Sequence, residues 1–178
     1  IIASFILLLG STPTPEVKVD QKVVKNGGPD KIAVIKIDGE ITDQNDTTFS
    51  TASINATDTL KIIQEIKDDV SVKGIVIKIN SPGGGVVPSD EIYRALKGIR
   101  DQKPVVASLG DLAASGGYYI ASSANKIIAN EGTITGSIGV IIELPKLQGL
   151  YEKIGVEMRT IQSGKFKDIG SPSRDLTS

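Results

Sequence analysis

The sequence predicts an α/β fold built around a mainly parallel sheet. Two β-branched segments, 31–37 and 74–80, flank residues 54–69, in which apolar side chains recur at helical spacing. A strand, a helix and a second strand in this order form a βαβ unit, whose strands run parallel. A glycine-rich loop then leads from the second strand into another helix. We therefore expect repeated ββα and βαβ units around one core, because 178 residues suffice for a single substantial domain.

The first 29 residues differ in character from the rest of the chain. Residues 1–10 form an apolar run that is shorter than the roughly 20 residues needed to cross a bilayer. We interpret this run as the remnant of an N-terminal membrane anchor; a buried strand or helix start and the apolar region of a signal peptide are the alternatives. Residues 11–29 contain prolines, a glycine pair and scattered charges, which predicts a linker. The folded domain is predicted to comprise residues 30–178 and to lack its C-terminal part, since residues 170–178 resemble the start of a further helix.

The elements of this domain are predicted from apolar periodicity and from turn residues. Residues 39–53 are polar and are predicted to form a loop, and residues 133–137 a turn. Strands are expected at 31–37, 74–80, 104–109, 126–129, 138–142 and 156–161, and helices at 54–69, 88–100, 118–124 and 145–154.

The composition excludes several classes of function. The chain has no histidine and no cysteine, so it cannot form a Ser-His-Asp triad, a Cys-His pair or most zinc sites from its own residues. A net charge of −1, an aromatic content of 4% and the absence of tryptophan argue against a nucleic-acid partner. We predict no metal and no cofactor.

Ser115 is the candidate nucleophile. It lies between two alanines and two glycines, after a predicted strand and before a segment that can form a helix. A hydroxyl at a helix N-terminus lies near the positive end of the helix dipole, and small neighbours allow a substrate backbone to approach. The alternative is a helix start packed against the sheet. The glycines of loop 80–85 can turn their N–H groups into a pocket for an oxyanion or a phosphate, although the Walker spacing is absent and a simple flexible turn is also possible.

Without histidine, the base for Ser115 must be a lysine, a carboxylate or a group of another chain. The serine-lysine dyad is the recurrent solution, and it requires an amine whose pKa is lowered, as burial does. Lys165 and Lys167 lie in a predicted loop near the C-terminal end. Because most loop lysines are solvated surface residues, the position of Lys165 or Lys167 in a loop does not identify either one as the base.

Four motifs together resemble the signal peptide peptidase A family of serine-lysine proteases, in that family's order and spacing. They are NSPGGG (80–85), AASGGYY (113–119), TGSIGV (135–140) and SGKFKD (163–168). The resemblance extends from about residue 31 to the end of the chain and implies a Clp protease/crotonase-like fold.

The resemblance also implies roles for individual residues. Ser115 matches the nucleophile, and Lys167, directly before an aspartate, matches the general base, whereas Lys165 falls on a variable position. Gly84 and Gly116 match the backbone donors of the oxyanion hole, and Ser137 matches a serine that orients the lysine amine.

The resemblance further implies a location and partners. Similar proteins are anchored in the cell membrane by one N-terminal segment, with the catalytic domain on the extracytoplasmic side. They form homo-oligomers in which the dyad can be completed across subunits, and they degrade apolar peptides such as remnant signal peptides. The alternatives are a stomatin-trimming membrane serine protease, whose serine and lysine lie closer in sequence, a crotonase-type acyl-CoA enzyme, and an inactive peptide-binding scaffold of the same fold.

Overall fold

The computed structural model describes residues 29–43, 53–164 and 167–174. The strands are β1 (Lys31–Asp38), β2 (Glu40–Thr42), β3 (Ser53–Asn55), β4 (Val72–Ser81), β5 (Val105–Ala114), β6 (Lys126–Ile128) and β7 (Ile134–Gly136). The helices are α1 (Ala56–Asp68), α2 (Val86–Ile99), α3 (Gly116–Ala121) and α4 (Gln148–Lys153). The chain divides into two compact units, Ile1–Ile138 and Gly139–Ser178.

The main sheet has the order β1-β4-β5-β6, and every pairing in it is parallel, as predicted. The core lies on one face of this sheet, where alternate isoleucines of β1 and β4 meet the apolar sides of α1 and α2. Its fully buried members include Ile37, Ile77, Ile92 and Leu96. Because β4 and β5 pair in parallel, their carboxyl ends lie beside each other at one edge of the sheet.

The end of β5 departs from regular pairing in a way that shapes the site. From Leu109 to Ala113 the strand advances four residues, while its partner β4 advances only from Ile79 to Ser81. The extra residues form a bulge, and the Asn80 side chain accepts a hydrogen bond from the Leu112 N–H there, at 3.2 Å. After the bulge, β5 pairs with β7 instead of β6.

Several predicted elements were wrong. Residues 138–142 and 156–161 form no strand, although they are rich in β-branched residues, because neither has a partner strand within the described residues. The predicted turn 133–137 instead contains β7, and the predicted loop 39–53 contains β2. The partner of β2 is β3, which covers the last residue of that loop and the first two residues of the predicted helix 54–69. Each of these differences depends on a pairing between distant segments, which a local pattern does not encode.

None of the described helices combines the length and the apolar composition that a bilayer-spanning helix requires. The predicted anchor at 1–10 lies outside the described residues, as does the predicted linker except for residue 29.

Candidate active site

Ser115 occupies the sharp turn between β5 and α3. Its backbone has φ 49° and ψ −120°, a combination that side-chain-bearing residues rarely adopt. The turn is held on both sides, because the Ser115 N–H donates to the Gly136 carbonyl at 2.8 Å and the Ser115 carbonyl accepts from the Tyr119 N–H at 2.9 Å. A serine on a strained strand-to-helix turn is the arrangement that exposes a nucleophilic hydroxyl in unrelated hydrolases.

The glycine-rich loop lies directly against this serine. A Cβ atom added to Gly83, whose φ is +104°, would lie 2.8 Å from the Ser115 Cβ and 2.7 Å from the Gly116 nitrogen. A Cβ added to Gly116 would lie 3.4 Å from the Gly84 nitrogen. Only glycine allows the loop and the start of α3 to approach this closely.

The backbone of Ile41 pins the loop from the other side. The Ile41 N–H donates to the Gly83 carbonyl at 2.9 Å, and the Gly85 N–H donates to the Ile41 carbonyl at 2.9 Å. This bridge leaves the N–H of Gly84 outside the pairing. Sequence reasoning missed Ile41, which lies within the predicted loop; an isolated apolar residue among polar neighbours was the available signal.

Two backbone donors lie beside Ser115. Within the part of the chain that the structure describes, neither the Gly84 N–H nor the Gly116 N–H donates a hydrogen bond to another group. Across the same residues, the Ser115 hydroxyl also has no hydrogen-bond partner. A free hydroxyl beside two free backbone donors can attack a carbonyl and bind the resulting oxyanion.

Ser137 lies next to Ser115 through the β5–β7 pairing. Ala114 pairs with Gly136, so Ser115 and Ser137, which follow these two residues, come directly after the paired ends of β5 and β7. Thr135 reinforces the pairing, because its hydroxyl donates to the Ala113 carbonyl at 2.7 Å. Ser137 is exposed and has a positive φ of 51°. Its predicted role toward the lysine amine stays a prediction.

Lys167 belongs to the second unit, whereas Ser115, Gly84, Gly116 and Ser137 belong to the first. The Lys167 side chain is exposed, and its backbone N–H donates to the Gly164 carbonyl at 3.1 Å. Sequence reasoning sought a lysine in a less charged, enclosed setting, and the exposed side chain differs from that expectation. Lys165 lies outside the described residues.

The residue after Lys167 is held by a strong ion pair. Asp168 accepts hydrogen bonds from two nitrogen atoms of the Arg174 guanidinium, each at 2.6 Å. This bidentate contact holds the pKa of the Asp168 carboxyl below its usual value. The carboxylate beside Lys167 is therefore already paired with a cation of its own unit.

Changing Gly84 to alanine is expected to lower the turnover of a peptide substrate by roughly 10²- to 10³-fold, the effect of losing one oxyanion donor. The added Cβ would lie 2.7 Å from the Ile41 nitrogen, so the loop must move and carry its N–H away. Gly98→Ala is the matched control, because a Cβ on this helical glycine meets nothing within 4 Å. Equal turnover of the two variants, measured with the same peptide, would contradict the role of the Gly84 N–H as an oxyanion donor.

Comparison with known protein families agrees with this geometry. Residues 97–178 match the model of peptidase family S49, and residues 35–133 match the model of the Clp protease family. A protein of Enterococcus faecium that is provisionally named signal peptide peptidase SppA is 38% identical, over 87% of this chain and 46% of its own length. This chain belongs to the signal peptide peptidase A family. The match to the Clp protease model also confirms the predicted Clp protease-like fold.

Curated relatives are similar over most of this chain. The chloroplastic serine protease SPPA of Arabidopsis thaliana is 41% identical, over 84% of this chain and 22% of its own length. Protease 4 of Haemophilus influenzae is 35% identical, over 83% of this chain and 25% of its own length. A provisionally named protease of Methanocaldococcus jannaschii is 38% identical, over 84% of this chain and 49% of its own length. The chain thus spans about half or less of the length of these relatives.

Proposed function

We propose that the protein is a serine endopeptidase that uses Ser115 as nucleophile and Lys167 as general base. The observation that carries this proposal is the strained turn at Ser115, where the hydroxyl and the N–H groups of Gly84 and Gly116 lie side by side and bond to no other group among the described residues. Backbone strain of this kind costs about 1–3 kcal/mol and persists where the surrounding structure enforces it, commonly at active sites. Family membership supports the same reading.

The chemistry follows from these groups. The neutral amine of Lys167 takes the proton of the Ser115 hydroxyl while the oxygen attacks the peptide carbonyl. The N–H groups of Gly84 and Gly116 bind the negative charge that develops on the carbonyl oxygen. The protonated amine then gives its proton to the leaving nitrogen, the C–N bond breaks, and water hydrolyses the acyl-enzyme. In this scheme Ser137 accepts a hydrogen bond from the lysine amine and orients it.

The proposed substrates are apolar peptides, including remnant signal peptides. Exposed Val86 and Val87 open α2 immediately after the glycine loop, at 58% and 63% exposure. Exposed Ile134 and Ile138 flank the end of β7, which pairs with β5 just before Ser115. Apolar surface on two elements next to the nucleophile suits an extended hydrophobic chain better than a charged ligand.

The proposal includes a place and an assembly. The protein is held at the cell membrane by an N-terminal anchor, with its catalytic domain on the extracytoplasmic side. It forms a homo-oligomer whose sites combine Ser115 of one subunit with Lys167 of a neighbour. This arrangement would bring the enzyme to peptides left in the bilayer. These features are drawn from the resemblance to signal peptide peptidase A proteins.

Covalent labelling tests the nucleophile directly. Full-length protein treated with a fluorophosphonate is expected to gain one adduct, and peptide mass spectrometry is expected to locate it on Ser115, because only an activated serine reacts rapidly with this reagent. Denatured protein provides the control for non-specific reaction. Modification at another residue, or none, would refute the proposed role of Ser115.

A further inference from the structure

A polar cluster joins α2 to α3 beside the proposed active site. The Tyr119 hydroxyl donates to the Asp90 carboxylate at 2.8 Å, and Arg94 donates to the other oxygen of the same carboxylate at 2.6 Å. The rings of Tyr119 and Tyr93 stack with their centroids 4.5 Å apart. Tyr119 is the only member of this cluster on α3, so its bond to Asp90 is the cluster's polar link between the two helices.

Each helix carries one of the proposed oxyanion donors at its start. α2 begins two residues after Gly84, and α3 begins at Gly116. Tyr119 lies one turn beyond Ser115, whose carbonyl accepts the Tyr119 N–H. Ile41 holds the glycine loop on one side, so the distance between the two donors also depends on how α3 lies against the first turns of α2.

A second contact shows how closely these helix starts fit. Ser89, which is buried in the first turn of α2, donates to the Gly85 carbonyl at 2.7 Å. A Cβ on Gly116 would collide with the hydroxyl of this serine. A small shift of α3 along α2 would consequently move Gly116 relative to Gly84, since little free space separates them.

We infer that the Asp90–Tyr119 hydrogen bond is a positioning pair for the oxyanion site, which holds the N–H of Gly116 at the correct distance from the N–H of Gly84. This inference rests on the proposed function of Ser115. Asp90 and Tyr119 act through the helix starts and are not catalytic residues themselves. Ile120 of α3 is fully buried and the rings of Tyr93 and Tyr119 stack, and neither contact needs this hydrogen bond, so we expect the pair to contribute to alignment more than to folding.

The protonation states of the pair suit an enzyme with a lysine base. The bonds from Arg94 and Tyr119 hold the pKa of the Asp90 carboxyl below its usual value, so it stays ionised at neutral and alkaline pH. The bond to Asp90 raises the pKa of the Tyr119 phenol. The phenol therefore keeps its proton as the pH rises toward about 10, the ordinary pKa of a tyrosine. The hydrogen bond thus persists over the range in which a lysine amine becomes neutral.

The test is steady-state cleavage of an apolar peptide by full-length Tyr119→Phe, with active sites counted by fluorophosphonate titration. We expect kcat per titrated site to fall about tenfold with KM nearly unchanged, because misplaced donors weaken transition-state binding more than substrate binding. Binding of a peptide aldehyde, whose adduct carries an oxyanion, should weaken by a similar factor. The pH dependence of kcat should keep its midpoint.

Three further variants separate alignment from general stability. Tyr93→Phe is the matched control, because it keeps the ring stack and removes only a hydroxyl that bonds Lys97 within α2. Asp90→Ala should match Tyr119→Phe, and their combination should cost no more than either alone. Asp90→Asn should retain more activity than Asp90→Ala, since an amide oxygen still accepts from the Tyr119 hydroxyl.

The inference is overturned if Tyr119→Phe and Tyr93→Phe have the same kcat per titrated site, or if kcat falls while aldehyde binding stays as in the parent protein. A parent protein that is not labelled on Ser115 would instead contradict the proposed function, so the two failures can be told apart. A lower melting temperature with unchanged kcat per site would show a structural role alone and would also overturn it.

Discussion

Ser115→Ala is expected to abolish peptide cleavage, with a loss on the order of 10⁶-fold in turnover, as found when a serine hydrolase loses its nucleophile. The fold should survive, because the Ser115 hydroxyl makes no hydrogen bond with other residues that the structure describes. Cleavage of an apolar peptide and fluorophosphonate labelling measure the loss. Ser108→Ala, on the strand β5 that precedes Ser115, is the matched control and should keep full activity.

Ser115→Gly adds a separate measure of the strain at this position. Glycine adopts a φ near 49° without a Cβ penalty, so this variant should be more stable than Ser115→Ala by about 1 kcal/mol while being equally inactive. Unfolding by urea compares the two variants. A glycine variant that is less stable than the alanine variant would show that the turn is not strained. Peptide cleavage by Ser115→Ala would show that Ser115 is not the nucleophile.

Lys167→Ala is expected to reduce cleavage to the background level, because no histidine exists in the chain to replace the amine as base. Lys167→Arg should be equally inactive, since a guanidinium keeps its proton and cannot act as a base. Lys165→Ala provides the control and should remain active. In the parent protein the rate should rise with pH, because only the neutral amine accepts the serine proton.

Mixing variants tests whether the dyad is shared between subunits. Ser115→Ala and Lys167→Ala proteins, each inactive alone, should regain part of the parent activity when they are co-assembled, if one subunit supplies the serine and its neighbour the lysine. Background activity in the mixture, with assembly verified by light scattering, would place both residues in the same subunit. Full activity of Lys167→Ala alone would contradict the dyad.

The neighbouring positions of the glycine loop and Ser115 were predictable because both follow parallel strands. The carboxyl ends of adjacent parallel strands meet at one edge of a sheet, so the glycine loop after β4 and the serine after β5 had to be neighbours. The absence of histidine and cysteine directed attention to lysine as the base. Lys167 itself was indicated only by the resemblance to a family, since nothing local separates it from Lys165.

The later segments show where local patterns fail. The β-branched run 138–142 predicted a strand, yet its residues Ile141 and Ile142 are 86% and 78% exposed and unpaired among the described residues. The three-residue segment β7 pairs with β5 instead. The hydroxyls of Thr133, just before β7, and of Thr135, within it, donate to the carbonyls of Gly110 and Ala113 on β5. Strand formation requires a partner, and the identity of that partner is not a local property.

The sequence alone determined the parallel α/β core, the candidate nucleophile before α3 and the classes of chemistry that are excluded, because these follow from apolar periodicity, glycine spacing and the residue types present. The tertiary structure alone decided the conformation of Ser115, with its φ of 49°, and the contact of the glycine loop with Gly116. It also decided the Asp90–Tyr119 link between α2 and α3. Each of these features requires segments that are far apart in the chain to come within a few ångströms of one another. The packing of two helices against one sheet brings these segments together, so no local pattern predicts them.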